Sequence, residues 1–435
     1  MSFFIRTPLR PELTNLVLPG ITSRSTTAVV GLLEKNNRDH HIFFNEFKYH
    51  NHLSHHVLAA YALGADEKRL EEIYNAHLHY QRPRPPLLEK VTRANFTAHL
   101  DKAEAYTSYL EFFQDEIKQH GIINTVRRFV WSGDMLSRLL GGALHPLIHV
   151  GYGVEFSSEG MVAEGLAMAA CTSNMADRHI PTSPELSEQL RAVPAQQLEE
   201  RVEGDLLVGD SILVDIVNEI HSDKFYDTVV QIDTKIKSEA LIQSDAAMEK
   251  ITGYLTQWVN KTAWQSQADR YSRVKELVQL CTLAYGATGF TSKDPQVLPN
   301  LDFFLMHALT SVYFVHILVP HLHPEEANSL IQNHLLMVLS YYTAFGRPKV
   351  RAERLIGYES VTFGNDEPND WSHVFKEAIK GKDEHVIKVV RSLALAQMLY
   401  GHGPDDLGQA YIKAAQASLD VQGQWSRDVG FLDFE

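Results

Sequence analysis

Three pairs of nitrogen-bearing side chains stand three or four positions apart in this sequence. Residues at that spacing project from one face of an α-helix, one turn above the other, so several such faces turned inward would form a nitrogen-rich metal pocket. Because the chain has 22 histidines and only 2 cysteines, the metal must accept imidazole rather than thiolate, which favours iron, zinc, copper or nickel. The spacing therefore predicts a metalloenzyme. The pairs are His52 with His56, His145 with His149, and His385 with Lys388.

The first pair lies in the segment 51–56, which reads NHLSHH. His52 and His56 share one helix face, whereas His55 points about 100° away from His56. Any two of these histidines could ligate a metal, and we favour His52 and His56. A lone histidine on an apolar face is usually a core residue with an ordinary partner, and only the recurrence of the pattern favours ligation.

The second pair is preceded by glycines and interrupted by a proline. Pro146 is predicted at the first helical position, which would make His145 the N-cap and place His149 within the first turn. We therefore place His149 ahead of His145 as a ligand. Glu155 and Glu164 are candidates for carboxylates that orient an imidazole, although solvation at the surface is the simpler interpretation.

A further candidate, His307, stands in the apolar stretch DFFLMHALT. A buried imidazole must find a partner, and both a metal ion and a backbone carbonyl remain open. We predict that His307 ligates the metal. His316 falls two and a half turns later, faces elsewhere, and is predicted to be structural.

The third pair, His385 and Lys388, lies in an amphipathic helix among valines and isoleucine. A charged lysine beside a ligand histidine would oppose cation binding. Burial lowers the pKa of a lysine, and a neutral amine adds carbon dioxide to become a carbamate, which is an anionic oxygen ligand. The alternative is a salt-bridged lysine that reaches solvent past its aliphatic neighbours. His385 and Lys388 are also our candidate catalytic residues.

The elements that position these residues are predicted to be helices almost throughout, because strand patterns are scarce. The fold class is therefore all-α, a large multi-helix domain with a metal pocket between buried helices. We predict a single domain over 1–435 with an N-terminal extension at 1–40. Helices are predicted over 51–63, 67–79, 98–118, 121–140, 146–152, 160–172, 185–202, 209–220, 238–249, 268–286, 302–317, 325–343, 371–380, 384–400 and 405–420. The long loop 344–370 is either a wall of the substrate site or a surface excursion.

Composition excludes several classes of function. The formal net charge is −14 without a basic run, which argues against a nucleic-acid partner. The apolar segment 303–322 contains polar residues and a proline, so a buried helix is favoured over a membrane span. No secretory segment is recognisable, which predicts a cytoplasmic protein with reduced cysteines. Glycine motifs of flavin, nicotinamide and phosphate sites are missing from the sequence.

Five sequence blocks together carry a family resemblance over nearly the whole chain. They are NHLSHHVLAAYALGA at 51–65, LGGALHPLIHVGYGVEF at 140–156, DFFLMHALTS at 302–311, GRPKV at 346–350 and DWSHVFKEAIKGKDEHVIKVVRSL at 370–393. In this order they resemble the blocks of the questin oxidase-like family. The motifs are long and specific.

The resemblance implies an oxidoreductase of secondary metabolism. Members of that family are oxygenases that open rings of aromatic polyketides such as anthraquinones, by Baeyer-Villiger-type or dioxygenase chemistry. A characterised branch uses non-haem iron held by four histidines and a carboxylated lysine. By position, this implies a carbamate on Lys388 and ligands at His385, His307, His149 and one histidine of the block 51–56.

The implied cofactors are Fe(II) and carbon dioxide as the lysine carbamate, and NADPH is the candidate external reductant. The implied partners are dioxygen and a small aromatic substrate. Two other classes stay open on the residues alone. One is a zinc-dependent hydrolase or isomerase on a helical scaffold, and the other is a non-catalytic binder of apolar ligands.

Overall fold

The computed structural model describes residues 21–132, 135–180, 212–294, 296–363, 371–401 and 407–432, together with Phe3 and Leu18. Within these ranges the chain forms α-helices and short 3-10 helices, and β-structure is limited to isolated bridges. The prediction of an all-α fold is confirmed. Backbone contacts divide the chain into two compact units, Met1–Thr182 with Ala378–Arg391, and Ser183–Glu377 with Ser392–Glu435. The single domain over 1–435 stays a prediction.

The first unit contains a helix, Ser23–Asp39, within the stretch 1–40, which is predicted to be an N-terminal extension. This helix is capped at its start by Thr22, whose hydroxyl accepts a hydrogen bond from the backbone N–H of Ser25, and it packs on neighbouring helices of the unit. The helices are α1 (Ser23–Asp39), α2 (Leu53–Ala62), α3 (Glu67–His77), α4 (Tyr106–His120), α5 (Ile122–Val130), α6 (Leu136–Leu139), α7 (His145–Glu155) and α8 (Glu159–Cys171).

Two glycines allow α7 and α8 to pack closely. A Cβ atom added to Gly153 would lie 2.7 Å from the backbone nitrogen of Val162, and one added to Gly165 would lie 2.7 Å from that of Val150. Real side chains do not tolerate such distances, so glycine is required on both helices. The close approach places α8 directly beside the histidines of α7.

The second unit is built from longer, more apolar helices. The segment Phe303–His321 is long and apolar enough to cross a membrane by length and composition, yet 78% of its most apolar stretch is buried. Such burial favours the predicted core helix over a membrane span. The helices are α9 (Ile212–Ser222), α10 (Lys237–Gln243), α11 (Asp245–Asn260), α12 (Gln267–Gly286), α13 (Phe303–Leu318), α14 (Pro324–Ala344), α15 (Ala352–Ile356) and α18 (Ala410–Val421).

Two helices contribute residues to both units. They are α16 (Trp371–Lys380) and α17 (Glu384–Tyr400), and the first unit takes Ala378–Arg391 from them. The predicted helix 185–202 lies outside the described residues, as does 364–370 of the predicted long loop. The remainder of that loop includes α15, and its role as a wall of the substrate site stays a prediction.

Candidate metal centre

Three neighbouring histidines at the start of α2 each contact a different imidazole. His52, immediately before the helix, and His55 both face α7, whereas His56 faces α3. All six rings are buried. The contacts join His52 Nε2 to His145 Nε2 at 2.8 Å, His55 Nε2 to His149 Nδ1 at 3.0 Å, and His56 Nδ1 to His77 Nε2 at 3.0 Å.

The backbone before α7 sets the orientation of His145. Its Nδ1 lies 2.6 Å from the carbonyl oxygen of Gly142, and because a carbonyl only accepts, Nδ1 carries the proton and Nε2 carries the lone pair. His50 stacks on the same ring at 4.1 Å between centroids. Gly142 has φ +52, and a Cβ there would lie 2.9 Å from the His50 ring, so both conformation and space require glycine. His145 Nε2 is therefore directed at His52 in the form that binds metals.

The prediction that His145 is the N-cap of its helix is wrong. The N-cap is Leu144, which has φ 66, and His145 itself has helical angles of −62° and −40°. Ala143 also has a positive φ of 52. Two left-handed residues in succession form a tight turn, and the helix consequently begins one position earlier than Pro146 suggests.

Both ring nitrogens of His149 are engaged. Nε2 donates to Glu164 Oε2 at 2.9 Å, and Glu164 Oε1 accepts a hydrogen bond of 2.7 Å from Asn37. His149 Nδ1 then accepts from His55 Nε2, which leaves the lone pair of His55 on Nδ1, an atom without a partner in the described part of the chain. Glu164 is 1% exposed, so it orients an imidazole rather than facing solvent. The ligand role of His149 stays a prediction.

His385 lies beside His52 and His145. One ring nitrogen from each of His52, His145 and His385 lies within 4.8 Å of the others. The Asp383 carboxylate accepts hydrogen bonds from the backbone N–H groups of His385 and Val386 at 2.8 and 3.0 Å, which caps the start of α17. The cap fixes the first turn and hence the position of the His385 ring.

Lys388, one turn later on α17, is buried, and its ammonium group forms no ion pair with the residues that the structure describes. It is 1% exposed, and its Nζ has no hydrogen-bond partner among the residues described. Burial lowers the pKa of Lys388 to about 8, although the charges of Glu384 and Asp383 act in the opposite direction. The alternative of a salt-bridged lysine that reaches solvent is therefore wrong. At pH 7 about a tenth of such an amine is neutral, and the neutral form is the one that carbamate formation requires.

Burial also keeps His50, His52 and His55 in the neutral form. It lowers the pKa of His50 to about 3, and the positive charge of Lys388 acts in the same direction. The pKa values of His52 and His55 are lowered well below the usual value, again mainly by burial. Neutral imidazole is the form that ligates metal ions. Imidazoles, together with an amine that has no hydrogen-bond partner within the described ranges, thus form a donor set that fits a cation.

Of the remaining predicted residues, His307 lies in α13 of the second unit. It is 0% exposed, and its Nδ1 donates to the carbonyl oxygen of Phe303 at 2.7 Å. This bond leaves the lone pair on Nε2. Its ligand role stays a prediction. His316 is hydrogen-bonded to the hydroxyl of Tyr400 at 2.6 Å, in agreement with the structural role that we predict for it.

The sequence pattern favours His149 over His145 as a ligand, yet His145 is the residue beside His52 and His385. A signal was present in the pair Gly141 and Gly142 directly before His145. Consecutive glycines permit the turn that aims this ring. His77 was not considered at all, because α3 carries no second histidine at helical spacing inside its bounds.

Comparisons with known proteins agree on one group. The family model described as Questin oxidase-like matches residues 49–393. The chain is 28% identical to Baeyer-Villiger oxidase AgnL3 of Paecilomyces divaricatus, over 93% of this chain and 87% of that protein. It is 24% identical to a questin oxidase of Aspergillus terreus, over 92% and 90% of the two chains. A Baeyer-Villiger oxidase of Pestalotiopsis fici, ptaJ, is 26% identical over 94% and 92%. These relatives are oxidases by name.

Proposed function

The chain belongs to the questin oxidase-like family, and on this premise we propose that it is an oxygenase of an aromatic polyketide such as an anthraquinone. It cleaves a ring of that substrate by Baeyer-Villiger-type or dioxygenase chemistry and consumes dioxygen. The substrate class is supported by relatives named as questin oxidase and Baeyer-Villiger oxidases. The reaction class is supported by a buried site rich in neutral nitrogen donors.

The proposed cofactor is Fe(II), held by His52, His145, His385 and a carbamate on Lys388. The observation that carries this assignment is the approach of three histidine nitrogens to within 4.8 Å of one another. Two ligands of one metal ion, each at about 2.1 Å and separated by a right angle, lie about 3 Å apart. The 2.8 Å between the Nε2 atoms of His52 and His145 suits such a pair. His307 is a further ligand predicted from the family resemblance.

Two residues of the sequence prediction are left out of the proposed ligand set. His56 pairs with His77 on α3, and both nitrogens of His149 are used by His55 and Glu164. We propose that these residues hold the surrounding helices together rather than bind the metal, because His149 joins α7 to α2 through His55, and His56 joins α2 to α3 through His77.

Lys388 becomes a ligand by a balanced reaction with carbon dioxide. The lone pair of the neutral amine forms an N–C bond, one C=O π pair moves to oxygen, and the amine proton is released to solvent. The side chain then carries one negative charge where protonation would have given a positive charge. Because burial brings the pKa of Lys388 to about 8, the reactive neutral form is available at neutral pH.

The rest of the chain orients the ligands and excludes water from the site. When bound, the iron supplies the redox chemistry that activation of dioxygen needs. The surrounding helices keep water away, since α7 is buried along its whole length, and low local dielectric strengthens every electrostatic contact inside. NADPH is proposed as the reductant if the substrate does not itself supply the electrons.

Metal analysis and oxygen labelling test this function. Protein produced under iron-replete conditions is expected to contain one iron per chain. With a hydroxyanthraquinone and ¹⁸O₂ it is expected to give a ring-opened or ring-expanded product that carries the label. NADPH consumption is followed in the same reaction. Zinc at full occupancy without iron would contradict the oxygenase proposal and favour a hydrolase or isomerase, and a chain free of any metal would favour an apolar-ligand binder.

A further inference from the structure

A buried ion pair links α7 to α17, and the proposed reaction does not use it. Arg391 Nη1 donates to Glu155 Oε2 at 3.1 Å and Nη2 donates to Oε1. The two side chains are 2% and 0% exposed. The guanidinium also lies over the rings of Tyr152 and Phe156, 5.6 Å from each centroid. Both charges are thus removed from water and held in one geometry.

The stability of the fold does not account for this pair. Removal of each ion from water costs several kcal/mol, and well-packed apolar side chains of similar volume often give equal or greater stability. A bidentate contact between arginine and a carboxylate does fix the distance and orientation of the elements that carry it. The pair is therefore better suited to set geometry than to raise the free energy of unfolding.

The geometry that it sets is that of the proposed ligands. His385, Lys388 and Arg391 follow one another at three-residue spacing on α17, so each lies about 60° around the axis from the one before, and Arg391 lies about 120° from His385. Arg391 lies about 4.5 Å along the axis beyond Lys388 and about 9 Å beyond His385. The helices α7 and α17 meet at two levels, His145 with His385 and Glu155 with Arg391. Two contacts between a pair of helices fix the angle at which the helices cross, whereas a single contact lets one helix rotate about it.

A second arginine holds the chain on the other side of the ligands. Arg69 of α3 donates from Nε to the carbonyl oxygen of Ile379 at 2.7 Å, and from Nη2 to those of Lys380 and Gly381 at 3.3 and 2.7 Å. These carbonyls lie at the end of α16, immediately before the turn that leads into His385. Because helix-terminal carbonyls lack partners within their own helix, a guanidinium that binds them fixes where α17 begins.

On the basis of the metal site proposed above, we propose that Glu155 and Arg391 are positioning residues. Their ion pair holds the segment 384–391 against α7, so that His385 and Lys388 face the imidazole of His145. Both members of the pair act through the ligands on α17. Arg69 anchors the same segment from its N-terminal side.

The test is a double apolar variant, Glu155→Leu with Arg391→Met. A single substitution would leave an uncompensated buried charge and could unfold the chain. The double variant is expected to melt at or above the temperature of the wild type. Its dissociation constant for Fe(II), measured by competition with a chelator, is expected to rise about tenfold or more. In the metal-free protein, backbone amides of 384–391 are expected to exchange faster with deuterium.

A matched control removes a second bidentate pair of the first unit. Arg93 donates to both oxygens of Glu116 at 3.0 and 2.8 Å, and that carboxylate otherwise contacts Arg128 and His120. The variant Arg93→Met with Glu116→Leu is expected to leave Fe(II) affinity and exchange at 384–391 unchanged. Equal effects in the two double variants would overturn the positioning role, because they would report a general loss of stability.

Unchanged affinity and unchanged exchange in the Glu155→Leu, Arg391→Met variant would also overturn the proposal. If the wild type binds no Fe(II), the proposed function fails, and exchange at 384–391 alone then decides the positioning role. If the double variant melts well below the wild type, Arg391→Lys decides instead. This variant keeps the positive charge but loses the planar guanidinium group that binds both carboxylate oxygens. A positioning role therefore predicts weaker Fe(II) binding, whereas a purely stabilising role predicts unchanged Fe(II) binding.

Discussion

Buried histidines occur in both units of the molecule, but their partners differ. In the second unit His334 is hydrogen-bonded to the hydroxyl of Ser311 at 2.8 Å, and His316 to that of Tyr400 at 2.6 Å. In the first unit His52 and His55 meet other imidazoles instead. Burial lowers the pKa values in both places, so burial and helical spacing do not separate a ligand from a core histidine. The convergence of ring nitrogens from His52, His145 and His385 within 4.8 Å of one another does, because a shared cation would satisfy their lone pairs together.

The largest effect is expected from loss of the anionic ligand. Lys388→Ala should weaken Fe(II) binding by more than the roughly 100-fold that removal of a supporting residue costs, and it should abolish turnover. Helical content, measured by circular dichroism, should not change. Lys413→Ala is the control, because that lysine donates to the carbonyl oxygen of Tyr358 in the second unit. Full iron content in the Lys388→Ala variant would show that this residue is no ligand.

Addition of short carboxylates to the Lys388→Ala variant sharpens the same prediction. A small carboxylate that enters the vacated space would replace the charge and oxygen of the carbamate. Partial recovery of turnover is expected with acetate or formate, but not with a neutral amide of similar size. The rate is measured as a function of carboxylate concentration.

A matched pair of histidine variants tests the comparison between units directly. His52→Ala is expected to lose most bound iron, because it removes one of the three nitrogens that approach one another. His334→Ala is expected to keep full iron and to lose only stability, since its partner is a serine hydroxyl. Iron content per chain decides between them, and similar iron losses in both variants would end the distinction.

Within α7 the two histidines are expected to differ by a smaller amount. His145→Ala removes a proposed ligand, whereas His149→Ala removes a supporting ring that Glu164 holds in place. Supporting residues typically account for 10-fold to about 100-fold in metal affinity, so His149→Ala should bind Fe(II) more tightly than His145→Ala. The reverse order would restore the ranking made from the sequence.

The smallest effect concerns acid stability of the second unit. Burial lowers the pKa of His334 to about 3 and that of His316 to about 4. The unfolded chain takes up protons below its pKa of 6.5 while the folded chain does not, so the free energy of unfolding falls as pH drops from 6.5 towards 4. Each histidine contributes about 1.4 kcal/mol per pH unit. His334→Gln should reduce this slope by that amount in urea denaturation, and an unchanged slope would contradict the assignment.

The sequence was sufficient to predict the all-α fold class and many of the long helices. Helices predicted at 325–343 and 384–400 correspond to Pro324–Ala344 and Glu384–Tyr400, because apolar periodicity is the main determinant of such long elements. Spacing and residue type alone drew attention to His52, His385 and Lys388. These local signals need no knowledge of tertiary contacts.

The choice between His145 and His149 could not be made from the sequence. It depends on left-handed conformations at Ala143 and Leu144, directly after Gly142 at φ 52, and neither residue prefers that conformation on its own. The Glu155–Arg391 pair joins residues 236 positions apart, and no local pattern reports that separation. Such features arise only when distant helices pack.

The most direct test of the account is anomalous scattering at the iron absorption edge from crystals of the iron-loaded protein. The account predicts one strong peak bonded to ring nitrogens of His52, His145 and His385, with density for a carboxylated side chain at Lys388 reaching the same peak. A peak bonded to other residues, or an unmodified Lys388 beside these histidines without any peak, would contradict it.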